Sequence, residues 1–229
     1  MQIFKSFIAS GSQKPFWFVP KGLSVILTSL ALSNSMPLVA TATTIMGMDI
    51  DQVANGSELI FEGEVLLREI LRAPESGTIN TYVTFSIFDI VKGDYEGNTI
   101  ELKFAGGSIG NESVNVNGLR IPEEGEQGLY FVESLTRNLI NPLIGWSQGH
   151  FIIQEENGLR VVYTLDARAV IDIQSVSSIP LAIKRLSTTI KSDSDVAAGV
   201  SVGKSRTNIA AEKPLLIDEL KHRILEMIK

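Results

Sequence analysis

The 229 residues contain no cysteine, which excludes disulfides, thiolate metal sites and a thiol-linked lipid, and leaves stability to packing. Acidic residues outnumber basic ones by 26 to 20, a formal net charge of −6. A chain of that balance lacks the basic face that displaces counterions, which argues against nucleic acid and anionic membrane as partners.

The first 42 residues differ from the rest. They hold Lys5, Lys14 and Lys21 and no acid, then the apolar run Leu23–Leu32 and the small-residue sequence Ala40-Thr41-Ala42. A basic start, a short apolar stretch and small residues behind it are the three parts of an export signal. The apolar stretch is about ten residues, against the roughly 20 that a permanent span requires. We therefore expect a signal peptide over 1–42, cleaved after Ala42, an exported protein that is periplasmic or secreted, and no stable membrane anchor after cleavage. An uncleaved anchor over Gly22–Ala42 is the alternative. Without the three lysines the basic count falls to 17 against 26 acids, and 187 residues remain, ample for one domain.

In Met46–Ser57, the apolar Ile50, Val53 and Ala54 followed by Asn55-Gly56 predict a short helix. Two runs rich in β-branched and aromatic residues follow, Glu58–Leu67 and Thr81–Val91. In the second, Val83, Phe85 and Ile87 alternate with Thr84 and Ser86, the period of a half-buried strand. Arg72–Asn80, with Pro74 and Gly77, turns the chain between them, and Lys92–Asn98 leads into the alternating run Thr99–Phe104. Three successive strands with short connections are most economically an antiparallel meander. Further strands are expected at Ser113–Val116, Gly128–Glu133, His150–Glu155, Arg160–Thr164 and Ala169–Ile173. Their spacing suits a small barrel or sandwich; we expect a small antiparallel barrel, so the fold class is mainly β, with α+β character at the ends.

Ile179–Ser192 reads as a helix closing a barrel domain over 43–192. Residues 193–212, rich in Ser, Gly, Ala and scattered charge, have the composition of a flexible linker. In 213–229, Leu216, Leu220, Ile224, Met227 and Ile228 recur at three- and four-residue steps and form the stripe of an amphipathic helix.

Nucleophilic catalysis needs a base beside the nucleophile, and only His150 and His222 are present. His222 sits among charges in the terminal helix and reads as solvated. His150 follows Gly145-Trp146-Ser147-Gln148-Gly149, where Ser147 and an imidazole nitrogen could meet; the same residues also describe a turn entering a strand. Trp146 is either a core lid or an exposed anchor. Gly106, Gly107 and Ser108 follow a strand but lack the Lys-Ser/Thr ending and the helix of a phosphate loop, and read as a bulge or sharp bend that permits close backbone approach. No histidine pair has zinc spacing, and the acids of Glu123–Glu126 and of Asp89, Asp94 and Glu96 lack the alternating calcium pattern and read as solvated turn carboxylates. No metal or cofactor is expected.

The stretches Ser57–Val65, Thr81–Gly93, Thr99–Phe104 and Glu124–Val132, with their Val-Lys-Gly and Gly-Glu turns, resemble the secreted netrin-like superfamily, which includes tissue inhibitors of metalloproteinases and exported bacterial proteins. The resemblance implies an OB-like five-stranded barrel that acts by binding, not catalysis. The inhibitors of that group hold their target's zinc through an amino-terminal cysteine; here Thr43 would come first, which removes the reason to expect inhibition. The Gly106-Gly107 loop and Gly145–Gly149 look more like an exported bacterial family from which no activity carries over. The expectation is an exported, non-catalytic binding or assembly module for a protein or small ligand, with contacts at Gly106, Gly107 and Ser108, at Trp146, Ser147 and His150, and on the stripe Leu216, Leu220 and Ile224. The stripe also has a plainer use, docking on its own domain. A hydrolase using Ser147 and His150, or a purely structural envelope protein, are the competing readings.

Overall fold

The computed structural model describes residues 45–176, 196–203 and 213–228. The expected signal peptide and the expected helix at Ile179–Ser192 lie outside the described residues. In chain order the elements are α1 (Ile50–Gly56), β1 (Leu59–Arg72), β2 (Ile79–Lys92), β3 (Thr99–Ala105), β4 (Gly107–Ile109) and β5 (Glu112–Val114). There follow β6 (Gln127–Val132), a 3-10 turn at Trp146–Gly149, β7 (His150–Glu156), β8 (Leu159–Tyr163), β9 (Val170–Ile173), β10 (Val200–Val202) and α2 (Ile217–Met227).

Six strands make one antiparallel sheet in the order β3-β2-β1-β6-β7-β8, and β4-β5 and β9-β10 form two small ribbons. The expected meander is β1-β2-β3. The expected barrel is not found: the sheet is open, with β3 and β8 at its edges. Closure would need β8 to meet β3, but the outer side of β8 is already used. Val162 N–H donates to the Leu215 carbonyl at 3.0 Å, and Val161 bridges to Leu216. At the other edge, Ala105 N–H donates to the Ile140 carbonyl at 2.8 Å.

The central strands are buried on both faces, which explains why Leu59-Ile60-Phe61 and Leu129-Tyr130-Phe131-Val132 run almost without polar interruption. Ile60, Leu129 and Phe131 face a core shared with both helices, while Leu59, Phe61, Tyr130 and Val132 face a second core with Val83, Phe85, Leu102 and Phe104. On the helix side, Glu62 is 1% exposed and accepts hydrogen bonds from Lys221 at 2.8 Å and from Arg160. Burial alone would lower the Lys221 ammonium; its hydrogen bonds to Glu62 and Asp89 outweigh that and hold it above the usual lysine range.

That contact seats the terminal helix. Leu220 and Ile224 are both 0% exposed in the helix-side core, and half-buried Leu216 packs against Val161, so the stripe covers its own domain. Part of the expected linker is structured as well. Val200–Val202 pairs with β9, Ala197 is buried, and Ala198 N–H donates to the Met48 carbonyl at 2.9 Å. The small residues permit this approach: a Cβ on Gly199 would lie 2.4 Å from the Gln174 carbonyl oxygen.

Truncating a fully buried leucine removes apolar contact and leaves a cavity, so Leu220→Ala should cost about 2–5 kcal/mol of unfolding free energy. Urea denaturation measures this, and an unchanged midpoint would contradict docking in cis.

Candidate functional site

The Gly-Gly sequence after β3 bends the chain into the β4-β5 ribbon. Gly106 and Gly107 have φ of 100° and 134°, and the Thr81 hydroxyl donates to the Gly106 carbonyl at 2.8 Å. A Cβ on Gly106 would lie 2.6 Å from the Val114 carbonyl oxygen, and one on Gly107 would lie 2.7 Å from Ile70 Cγ2 and 2.8 Å from Thr81 Oγ1. Only glycine lets the β4-β5 ribbon lie this close to β1 and β2. The expected close backbone approach is what these two residues provide.

Two clefts meet at the ribbon and share Ala105 and Val114 as lining. The first, about 500 Å³, is lined by Arg72, Asn80, Lys103, Gly106, Glu112 and Asn138 among others. Its cations are engaged: Arg72 donates to Glu112 at 2.6 Å and to the Gly77 carbonyl at 2.9 Å, and Lys103 donates to Asn138. The second, about 610 Å³, is lined by Arg68 and Ile70 of β1, by Gly107 and Ser108, and by the loop that carries Asn117 and Arg120. Here Arg68 Nε and Arg120 Nη1 are shielded from solvent and have no hydrogen-bond partner. A buried donor left unmet costs about 1–3 kcal/mol, and more when charged.

Arg120 leads into a buried polar chain. Its Nη2 lies 2.6 Å from Glu126 Oε2, and Glu126 Oε1 lies 2.7 Å from His150 Nε2. Tyr130 donates to the Glu126 carbonyl at 3.2 Å, and its ring centroid is 4.9 Å from that of His150. The backbone of Glu126 also takes part, since Val65 N–H donates to its carbonyl at 3.0 Å. Glu126 is therefore not the solvated turn carboxylate expected from its Gly-Glu setting. Burial works to raise its carboxyl, but hydrogen bonds and charge from His150 and Arg120 outweigh that and hold it below the usual carboxylate range. Burial pushes the His150 imidazole down, against the pull of Glu126, so the ring is neutral at neutral pH. Burial and the Glu126 charge push the Tyr130 phenol up.

The structure brings Gly106, Gly107 and Ser108 to the clefts, with Ser108 Oγ donating to Ser113 Oγ at 3.0 Å. It does not bring Trp146, Ser147 and His150 there. Trp146 is half-buried at φ 60°, at the start of a 3-10 turn in which Ser147 and Gln148 are buried. Gln148 accepts from Met48 N–H at 2.7 Å and donates to the Gly145 and Met46 carbonyls, which fastens the turn to the chain before α1. His150 is 1% exposed, and its Nε2 engages Glu126, not Ser147. Among the described residues no His, Asp and Glu group has the arrangement of a metal site.

Sequence reasoning missed Arg68, Arg120 and Glu126. The only trace of Arg68 is a cation inside the apolar run Leu66-Leu67-Arg68-Glu69-Ile70. Comparison with protein-family models, curated proteins and solved structures gives no match.

The neutral, buried His150 sets a pH dependence. Unfolding frees it to bind a proton at its ordinary value of 6.5, so stability present above that pH is lost as pH falls through the depressed folded value. The Glu126 contribution is lost lower, as pH falls from its ordinary 4.5 through its own depressed value. Thermal melts across this range should show both losses, and His150→Gln should flatten the upper one. A His150→Gln profile parallel to that of the wild type would show that the imidazole is not the titrating group.

Proposed function

We propose that this chain is an exported, non-catalytic binding module that takes its ligand at the clefts beside Gly106–Val114. The observation that carries the reading is the glycine-fixed ribbon with an open cleft at each flank, one of them lined by arginines with unmet donors. Clefts with a few convergent polar groups on a rigid frame are where ligands bind. The hydrolase alternative needs a base nitrogen beside its nucleophile and open to substrate. His150 is sealed in the core with Nε2 on Glu126, which speaks against that role.

The composition of residues 1–42 supports action outside the cytoplasm. The netrin-like resemblance belongs to the same reading. Its four stretches fall on β1, β2, β3 and β6 of the open sheet, and a binding role at the strand ends fits it.

An NMR screen of small polar fragments against the purified protein tests the proposal. Shifts should concentrate in Gly106–Arg120, and a library that moves no amide there would overturn it. The same protein should hydrolyse p-nitrophenyl esters no faster than buffer; turnover abolished by both Ser147→Ala and His150→Ala would restore the hydrolase.

A further inference from the structure

We infer that the larger cleft, between β1 and the loop carrying Arg120, binds an oxyanion of its ligand, a carboxylate or phosphate group, between the guanidinium groups of Arg68 and Arg120. This rests on the binding reading above and names the chemistry that the site would recognise.

The other described arginines are matched to acceptors. Arg72, Arg137, Arg160, Arg168 and Arg223 each pair with a carboxylate, and Arg120 does so through Nη2 alone. Arg68 is the one arginine among the described residues whose guanidinium has neither hydrogen bond nor ion pair, and it lines the same cleft as the unmet Nη1 of Arg120. Two planar forks of donors converging on one cleft suit the two or three oxygens of a carboxylate or phosphate, which they can grip in pairs. Both unmet atoms are shielded from solvent, so the side chains must turn for these donors to meet an entering oxyanion.

The surroundings fit that use. Arg120 is held from behind by Glu126, which His150 and Tyr130 hold in turn, so its free edge is pre-positioned. Gly107 offers no side chain to block entry, Ser108 and Asn117 supply neutral polar groups, and Ile70 and Leu119 give an apolar wall for the rest of the ligand. The acids nearby limit the charge that can enter. Glu123 lies exposed at the rim, Glu124 accepts the Arg68 backbone N–H at 3.0 Å, and Glu126 is already paired. A compact group of low charge is favoured over a polyanion, which agrees with the overall acidity of the chain.

The test is an NMR titration of the purified protein with sodium acetate, inorganic phosphate and the uncharged isostere acetamide, at constant ionic strength set with chloride. Acetate or phosphate should shift the amides of Gly107, Ser108 and Arg120, with acetamide inert; whichever anion acts at lower concentration identifies the group. Arg68→Met, which keeps the apolar stem, should weaken the response about tenfold or more, and Arg68→Lys, which keeps charge without the fork, should fall between. The unperturbed spectrum elsewhere reports that each variant is folded. Equal shifts from acetamide, or a response unchanged in Arg68→Met, would overturn the inference. If neither anion moves these amides while neutral fragments do, the oxyanion site falls and the binding reading stands; if no probe moves them, both fall.

Discussion

One buried carboxylate, that of Glu126, ties together the parts of the chain that form the larger cleft. Its side chain reaches Arg120 on the loop after β5 and His150 at the head of β7, and its backbone carbonyl accepts from Val65 on β1 and Tyr130 on β6. β1 pairs with β6 only as far as Glu64, so beyond that residue its edge has no strand beside it. The turn around Glu126 fills this place: Gly125 N–H donates to the Val65 carbonyl at 2.9 Å and Glu124 takes the Arg68 N–H. A carboxylate stays charged under burial only when it is well paired, and once paired, losing a partner strands the charge. The cleft wall is thus held by a group that cannot leave its partners cheaply.

The opposite face of the sheet repeats the device for a different end. Glu62, on β1, is buried beneath the terminal helix and is met by Lys221 and Arg160, so the polar contact fixes where the apolar stripe of α2 sits. Apolar burial supplies attraction without direction, while a buried ion pair supplies position at small net gain. Each face of the sheet therefore has one buried carboxylate that locates what packs there: Glu62 of β1 for the helix on one side, and Glu126 before β6 for the loop that bears Arg120 on the other. The ribbon is placed by a third means, the absence of side chains at Gly106 and Gly107.

Much of the secondary structure was legible because its periodicity is local. Alternation in Thr81–Val91 and Thr99–Phe104 and the stripe Leu220, Ile224, Met227 depend on neighbours a few residues away, and they match β2, β3 and α2. The barrel was misread because closure depends on the edges, and the segment that occupies the edge of β8, Leu215-Leu216, comes some 50 residues later and carries no mark of that role. The Gly106-Gly107 bend was legible as chemistry of the backbone. The Arg68, Arg120 and Glu126 constellation was not, since Arg68 lies some 50 residues before Arg120 and Glu126 sits in a Gly-Glu turn that normally faces water. The serine and histidine three residues apart invited a catalytic pair, and the 3-10 turn between them sends the imidazole inward to Glu126 instead.

The central claim, that the buried carboxylate couples the cleft wall to the core, is tested most directly by a double-mutant cycle in urea between Glu126→Gln and His150→Gln. Residues in one buried network show interaction energies of about 0.5–3 kcal/mol beyond additivity. The account predicts a coupling within that range at pH 7, with the double variant less destabilised than the sum of the single ones. Additive losses would show that Glu126 and His150 act independently, and would contradict it.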